Sequence, residues 1–600
     1  MKRSTYIWSL LVGCVAFATS CDLTENVQVK ADKSMIFGSK SGLELYSNSF
    51  YKALPTLKNG FMQDKMCDVG AVSNTDTFIK EGAYNTETAT SWSWGALKNV
   101  NYFIDGCNDP KYCTVEAETR DNYLGIARWF RAWFYYDKLT TYGEVPWFPN
   151  DIQSYQNDVM YKDRDSRDVI IRNLIADLDF AYEHIQATSS TGSATLTRWA
   201  AAALKSRVCL FEAAYRRYHN LTGLEITPEE LYREAAKAAK LVIDNSGCSL
   251  NTAAGKKGAY RDLFYSETPL TQEVILAVCA NEKSGIFGEQ NWWFNARSYG
   301  LCWSLVRSFV HTYLKQDGTP FTAAADYAVK SFAEEMEGRD LRLEQTVRGR
   351  NFLWDGKTAV ADIKNLSLTG YQVIKYTLDE SKYDGGAKNI NSIPLIRYAE
   401  VLLNYAEAQA ELGVITDSEW ALTVGALRKR AGITGGTETL PTTVDSYLQR
   451  TFYPDVTSPV LLEIRRERAI ELVAEGMRFD DLRRWKCGSL METLPWSGIH
   501  IPGLEQPVDV NGDGVNDYYF TEGEVASAPA AYKNIAVRVN QDGVGLYAEA
   551  NAVSGYDLVY KTGAGDRYWY PDGRQYLYPI PAKVIRDYRN AGYTISQNPE

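Results

Sequence analysis

The sequence predicts a mainly α-helical protein that consists of a helical frame and an irregular, loop-rich part. Apolar residues recur at helical spacing in two separate blocks, whereas Gly, Asn, Thr and aromatic residues dominate between and after these blocks. We expect a single domain over about 41–600, with the frame at about 41–247 and 390–487. We expect function in the loop-rich parts, at about 248–389 and 488–600, because long irregular segments on a rigid frame usually carry it.

The first helical block contains three long predicted helices. The segment 164–185 has apolar residues at helical spacing, and the segment 197–218 is long and rich in alanine. A capping box with proline at the first helical position spans Thr227 to Glu230 and opens a helix over 229–245. Successive helices of this size with small residues on their faces favour tetratricopeptide-like stacking, although no repeat of about 34 residues can be aligned.

The second block contains further predicted helices at 394–412, about 416–432 and about 458–486. Gly413 follows the first of them and suits a left-handed helix cap. From 488 onward the chain is again rich in Gly, Pro and Tyr, which indicates loops.

The N-terminus has the parts of an export signal. Lys2 and Arg3 are followed by an apolar run at 7–17 and by small residues at 18–20, directly before Cys21. The apolar run is about half as long as a membrane span. We therefore expect a signal peptide over 1–20.

Small residues before a cysteine are similar to the lipobox of bacterial lipoproteins, although Ala18 stands where Leu is usual. We expect Cys21 to be acylated and to attach the protein to a membrane, with 21–40 as lipidated cysteine and polar tether. The alternative is an ordinary secretory signal that ends near a cysteine.

Composition narrows the classes of function. The net charge is 64 − 75 = −11, which argues against nucleic acid as a partner because nucleic-acid binding needs a basic surface. The sequence contains no HExxH, GxSxG, P-loop or GxGxxG motif, and its four histidines lie far apart, so we expect no enzyme. Carboxylates are plentiful, however, and a glycosidase pair stays an alternative. Aromatic residues reach 13%, which suits either core packing or platforms for sugar rings.

Five motif regions together resemble the SusD/RagB family of nutrient-binding outer-membrane lipoproteins. They are 127–139 with 142–146, 394–408, 424–433, 467–485, and 578–581 with 597–599. Their charged residues, such as Glu467, Arg468, Glu475, Arg478 and Arg483, are spaced for ion pairs and forked Arg–carboxylate contacts. We expect these residues to hold the fold together and not to contact a ligand.

The resemblance implies a helical frame with four tetratricopeptide-like units and an irregular ligand-facing part. It also implies a surface-exposed position on the cell outer membrane, with a SusC-type TonB-dependent transporter as partner. Most members of this family bind glycans and some bind peptides. We therefore expect a lipoprotein that captures an oligo- or polysaccharide and delivers it to the transporter. Peptide capture, a surface glycosidase and a scaffold without a ligand are the alternatives.

Three loop stretches contain candidate ligand-binding residues. They are Asp68 within 64–77, Trp92 within 90–94, and three tryptophans within 287–303, namely Trp292, Trp293 and Trp303. Tryptophan rings stack on sugar faces, while neighbouring amides and carboxylates bind hydroxyl groups. The alternative interpretation is that these rings fill the core.

The segment 509–517 is similar to the first part of an EF-hand calcium loop. Asp509, Asn511, Asp513 and Asp517 occupy positions 1, 3, 5 and 9, and a glycine stands at position 6. Phe520 stands where a calcium-binding glutamate is expected. No cofactor is expected beyond a structural calcium ion here, and the alternative is a surface turn rich in Asx and Gly.

Overall fold

The computed structural model describes residues 33–59, 66–296 and 301–599. The predicted signal peptide and Cys21 lie outside the described residues. Among these described residues, eight α-helices precede the loop-rich part: α1 Lys33–Phe37, α2 Lys40–Ser47, α3 Gly95–Asn108, α4 Ala117–Tyr142, α5 Asn157–Met160, α6 Arg167–His184, α7 Arg198–Tyr218 and α8 Pro228–Asn245.

The long helices of this first part stack in chain order. Helix α4 packs on α6, α6 packs on α7, and α7 packs on α8. Fully buried alanines such as Ala200 and Ala213 on α7, with Ala235 and Ala239 on α8, let the axes come close. The capping box that opens α8 is present as predicted, with Thr227 and Glu230 bonding reciprocally to each other's backbone.

The remaining helices are shorter. They are α9 Ala259–Tyr265, α10 Gln290–Asn295, α11 Arg307–Val310, α12 Phe332–Met336, α13 Arg342–Thr346, α14 Tyr398–Glu411, α15 Asp417–Leu422, α16 Val424–Arg430, α17 Ser446–Phe452, α18 Pro459–Glu471, α19 Arg478–Arg484, α20 Leu490–Thr493 and α21 Ala582–Asn590. The mainly α-helical fold class is confirmed.

Three of the predicted helices have other boundaries in the structure. The segment at about 416–432 forms the two helices α15 and α16, which are separated at Thr423. The segment 394–412 begins as a strand, because Ile393–Arg397 pairs with Val274–Val278, and only Tyr398–Glu411 is helical. The segment 458–486 forms two helices, because the chain turns between α18 and α19, where Gly476 has a positive φ of 82°.

In the described part of the chain, the strands are short and form five small sheets: β1 Gly70–Ala71 with β3 Ser304–Leu305; β2 Val274–Val278 with β6 Ile393–Arg397; β4 Leu353–Trp354 with β5 Lys357–Thr358; β8 Pro507–Val508, β9 Tyr518–Thr521 and β10 Ala536–Arg538; and β7 Ser497–Ile501, β11 Leu546–Ala550 and β12 Tyr556–Tyr560. In the last sheet β12 lies between β11 and β7, and both of its pairings are antiparallel.

The charged residues of the motif regions lie inside the protein as ion pairs. Arg397 contacts Glu471 at 2.6 Å and Glu273 at 3.0 Å, and all three side chains are at most 1% exposed. Burial alone raises the pKa of Glu471, but the guanidinium groups of Arg430, Arg397 and Arg342 outweigh burial and hold the pKa far below its usual value. These residues stabilise the fold, as the sequence predicted. None of the helices in the described ranges is both long enough and apolar enough to cross a membrane.

Candidate functional site

Strand pairing joins two of the three stretches that were predicted to bind ligand. Strand β1 lies antiparallel to β3, with Gly70 opposite Leu305. Beyond the strands, the backbone N–H of Ser73 donates to the carbonyl of Leu301 at 3.0 Å, and the N–H of Leu301 donates to the carbonyl of Trp293 at 3.0 Å. The segment after β1 therefore lies beside helix α10, which carries two of the predicted tryptophans.

Trp292 and Trp293 form what we call the tryptophan platform. Both side chains are half-buried, their ring centroids are 4.9 Å apart, and the ring planes are inclined by 66°. Edge-to-face packing of this kind fixes each ring against the other. The platform therefore presents two non-parallel aromatic surfaces, which suits a ligand with apolar ring faces.

Buried amides hold the platform in place. Asn291, on α10 beside the rings, donates from Nδ2 to the carbonyl of Leu378 at 2.7 Å, and its Oδ1 accepts from the backbone N–H of Leu378 and from Nδ2 of Asn389, both at 2.7 Å. The backbone N–H of Asn291 donates to Oδ1 of Asn389 at 2.8 Å. Because Asn291 and Asn389 are fully buried, these contacts fix the position of the short helix.

Polar groups lie at the C-terminal end of α10. Asn295 donates from Nδ2 to Oδ1 of Asp384 at 3.0 Å, and Gln372 donates to Oδ1 of Asn295 at 3.3 Å. Burial raises the pKa of Asp384, although hydrogen bonds from Asn295 and Asn291 act in the opposite direction. Amides and a half-buried carboxylate near aromatic rings are the groups that bind hydroxyl-rich ligands.

A groove of about 430 Å³ begins at Ser73, next to the Leu301 contact, and we call it the Tyr560 groove. Its walls come from the loop around 363–368 and from strands β10, β11 and β12. The half-buried ring of Tyr560 and the side chains of Leu368 and Leu546 give it an apolar part. The platform and the groove together form a candidate ligand-binding surface in the loop-rich part of the protein.

Asp68 and Trp303 lie inside the protein beneath this surface. The carboxylate of Asp68 is fully buried and pairs with Arg478, with 2.7 Å from Nε to Oδ1 and 2.6 Å from Nη2 to Oδ2. Trp303 is 4% exposed and packs against Gly70 so closely that a Cβ at position 70 would lie 2.2 Å from its Nε1. These two side chains have no free surface for a ligand, so the expectation of direct contact does not hold for them in this structure.

Trp92 lies in a different place. Its nearest rings are Trp94, at 5.3 Å between centroids, and Tyr142, at 4.9 Å. Trp92 lines a cavity of about 850 Å³ between α3, the segment 148–161 and helix α21. The structure does not bring this residue together with the tryptophan platform.

The predicted calcium loop is held by its own backbone. Asp509 accepts from the N–H groups of Gly512 and Gly514 at 2.7 Å, and Asp517 accepts from the N–H of Val510 at 2.8 Å. Asn511 donates from its side chain to Asp513 at 3.1 Å. Among residues 33–59, 66–296 and 301–599, no group of three or more His, Cys, Asp or Glu is arranged to hold a metal ion. The donor set does not form a cage here, and calcium binding stays a prediction.

Sequence reasoning missed Asp384, Gln372 and the groove residue Tyr560. Each is more than 75 positions from Trp292 in the sequence, and no local pattern marks any of them. Only the folding of distant segments onto α10 brings them to this surface.

Comparisons with known proteins agree with this architecture. The model of the SusD family matches residues 272–600, which is more than half of the chain. No curated protein matches the chain. A SusD-like protein from Bacteroides fragilis NCTC 9343 has a similar structure, with a TM-score of 0.65, 21% sequence identity, and coverage of 95% of this chain and 98% of that chain.

Two further structures are similar. A SusD-like carbohydrate binding protein from Bacteroides fragilis NCTC 9343 has a TM-score of 0.66 and 18% identity, and the match covers 93% of this chain and 99% of that chain. A SusD homolog from Bacteroides thetaiotaomicron VPI-5482 has a TM-score of 0.61 and 16% identity, with 96% and 99% covered. At these identities, the structural matches show a shared fold.

Proposed function

Since this chain belongs to the SusD family, we propose that it is a cell-surface binding protein that captures a glycan at the tryptophan platform and the adjoining Tyr560 groove. One observation carries the proposal: Trp292 and Trp293 are half-buried on a helix whose position is fixed by the buried amides of Asn291 and Asn389. Rigid aromatic rings with partly exposed faces bind apolar ring surfaces at a low entropic cost. Asn295, on the same helix, and Asp384, whose carboxylate accepts from the Asn295 amide, supply polar groups for sugar hydroxyls.

The similar carbohydrate binding protein from Bacteroides fragilis supports a glycan over the alternatives. We further propose delivery of the glycan to a SusC-type TonB-dependent transporter, and attachment to the outer membrane through acylated Cys21. Family membership and the N-terminal sequence support these two proposals. If the lipid is the anchor, Cys21→Ala will release the protein from membranes at high salt, whereas retention there will show that something else holds it.

Substitution of the platform tests the binding site. We expect Trp292→Ala and Trp293→Ala each to weaken glycan binding about tenfold, since loss of one stacked ring costs on the order of 1.4 kcal/mol. Isothermal titration calorimetry with a panel of polysaccharides gives the affinity, and thermal unfolding shows whether each variant is folded. Trp199→Ala is a matched control, because Trp199 is also half-buried but lies on the frame helix α7.

Unchanged affinity in both platform variants would remove these rings from the site. The other functions are separated by two further measurements. Peptide capture predicts Trp292-dependent binding to peptides and none to glycans. A glycosidase predicts release of reducing ends from a bound polysaccharide, which a binding protein does not cause.

A further inference from the structure

The Tyr560 groove differs in charge from the protein as a whole. The chain has a net charge of −11, yet the described residues that line the groove include Lys364 and Arg538 and no Asp or Glu. A local excess of one sign in a concave surface attracts ligands of the opposite sign. The groove therefore indicates the charge of the ligand, which the tryptophan platform does not.

Among the described residues, Lys364 forms no ion pair with a carboxylate. Its Nζ donates to the carbonyl of Asn534 at 3.0 Å, which is a neutral acceptor. An ammonium group has three donors, so this contact orients the side chain and leaves donors for a ligand. Lys364 is exposed, and its charge is accessible from the groove.

Arg538 on β10 is only partly paired. One nitrogen, Nη2, contacts Oε1 of Glu524 at 3.0 Å and Oε1 of Gln541 at 3.2 Å. Its Nε is buried and has no hydrogen-bond partner among the described residues, so a ligand can reach Arg538 only through the terminal nitrogens. The Glu524 side chain is 68% exposed and lies outside the groove lining, so the ion pair is weak and open to exchange with a ligand.

A further carboxylate, that of Asp362, belongs to the loop that forms one wall of the groove. It accepts from the side-chain amide of Asn365 at 3.0 and 3.2 Å and from the backbone N–H of Asn365 at 3.2 Å. Asp362 is therefore used in shaping its own loop and is not part of the groove lining. The lining residues alone carry a charge of +2, from Lys364 and Arg538; if Glu524 and Asp362 behind the lining are also counted, the sum is 2 − 2 = 0, so the positive charge is confined to the lining.

Backbone hydrogen bonds connect one wall of the groove to the helix that carries the platform. Ser73 lines the groove and bonds to Leu301, which in turn bonds to Trp293. The ring of Tyr560 gives the groove an aromatic surface of its own. An oligosaccharide that stacks on the platform can thus extend one or more sugar units into the groove, toward Lys364 and Arg538.

We propose that the captured glycan is anionic, and that Lys364 and Arg538 pair with its carboxylate or sulfate groups in the Tyr560 groove. This inference rests on the proposed glycan-binding function and adds the chemical class of the glycan. Guanidinium and ammonium groups bind carboxylate and sulfate oxygens through charge-assisted hydrogen bonds. These charge contacts are partly exposed and therefore add little affinity, so their main effect is to favour charged over neutral glycans. The aromatic rings supply the affinity that charged and neutral glycans have in common.

The test uses the full chain in detergent and polysaccharides that differ only in charge. Polygalacturonate and alginate are compared with their methyl esters, and chondroitin sulfate is compared with its desulfated form. We expect at least about tenfold tighter binding to a charged member at low salt, and a smaller difference at high salt because screening weakens partly exposed ion pairs. Tighter binding to polygalacturonate or alginate than to the methyl ester identifies carboxylate as the recognised group. Tighter binding to chondroitin sulfate than to its desulfated form identifies sulfate.

Substitutions connect the preference to the groove. We expect Lys364→Ala and Arg538→Ala each to reduce binding to the charged member about two- to fivefold and to leave neutral binding unchanged, as for partly exposed ion pairs. Lys283→Ala is the control for exposed lysine, and Arg574→Ala is the control for an arginine paired with one exposed carboxylate. Both controls should keep the preference, since neither residue lines the groove.

Three outcomes would overturn the inference. They are equal binding within every pair, a preference that survives the double variant of Lys364 and Arg538, and no binding to any charged member. Trp292-dependent binding to neutral glycans in the first or third case would leave the proposed function standing. Loss of all Trp292-dependent glycan binding would contradict both.

Discussion

The pairing of Asp68 with Arg478 gives a prediction that separates support of the site from contact with the ligand. Asp68 was expected from sequence to touch the ligand, but it is fully buried and forms a two-bond fork with Arg478, which is 4% exposed. Arg478 also donates from Nη1 to the hydroxyl of Tyr453 at 2.8 Å. We therefore predict that Asp68→Asn destabilises the fold and affects binding only through that loss.

The magnitude follows from burial. Removing one partner of a buried ion pair leaves the other charge uncompensated, which costs about 3–5 kcal/mol. Asp68→Asn keeps the shape of the side chain and removes the carboxylate charge that Arg478 contacts through two hydrogen bonds. We expect a loss of about 3 kcal/mol or more in the free energy of unfolding. Arg478→Met combined with Asp68→Asn should cost less than the sum of the two single changes, because no unpaired charge remains.

Urea unfolding followed by tryptophan fluorescence measures this loss, and calorimetry with the glycan measures affinity. Asp244→Asn is a matched control. It is the same substitution, but Asp244 belongs to an exposed ion pair with Lys240 on α8. That control should cost less than about 0.5 kcal/mol. An Asp68→Asn protein with unchanged unfolding and much weaker glycan binding would refute this reasoning and return Asp68 to the ligand site.

Two further predictions concern pH and calcium. Burial lowers the pKa of His219 to about 4, although its contact with the carbonyl of Arg483 acts in the opposite direction. Protonation of His219 should therefore reduce the free energy of unfolding of the protein by up to roughly 3 kcal/mol as the pH falls from 6.5 to 4. The reason is that the folded state binds this proton less well than the unfolded state does. Urea unfolding of His219→Gln should therefore show a smaller loss of unfolding free energy over this pH range. The same pH dependence in the variant and in the unchanged protein would contradict the role given to His219. Equilibrium dialysis at about 1 mM calcium tests whether the loop at Asp509 binds this ion. A bound ion that is lost in Asp509→Asn would mean that this carboxylate turns away from the backbone amides of Gly512 and Gly514. If no ion binds, the loop is a hydrogen-bonded turn.

Local signals in the sequence were sufficient for most of the helical frame. The capping box at Thr227 and Glu230 and the buried alanines of α7 act within a few residues, and the structure has the corresponding helices. The strand Ile393–Arg397 was predicted as helix because its conformation depends on pairing with Val274–Val278, more than 100 positions away. No pattern within either segment specifies that pairing.

The same limit explains the candidate site. The paired tryptophans of α10 were predicted as ligand-binding residues because two adjacent aromatic residues in a polar segment are visible in the sequence, and that role stays a prediction. Asp68 was predicted to bind ligand because it lies in a polar loop. Its actual partner, Arg478, is 410 positions away, so no local pattern marks the pair. A carboxylate in a loop has the same local sequence signature whether it faces solvent or a buried arginine, so burial decides its role.

Different kinds of contact hold the frame and the platform, and this difference makes their roles separable by experiment. Buried ion pairs join distant parts of the frame, such as Arg207 with Glu400, at 2.6 Å between helices α7 and α14. Neutral amides of Asn291 and Asn389 hold the platform, and amides do not titrate between pH 4 and 10. Acid or loss of one charge therefore acts first on the free energy of unfolding. Removal of a platform ring, which takes no partner from those ion pairs, acts first on affinity.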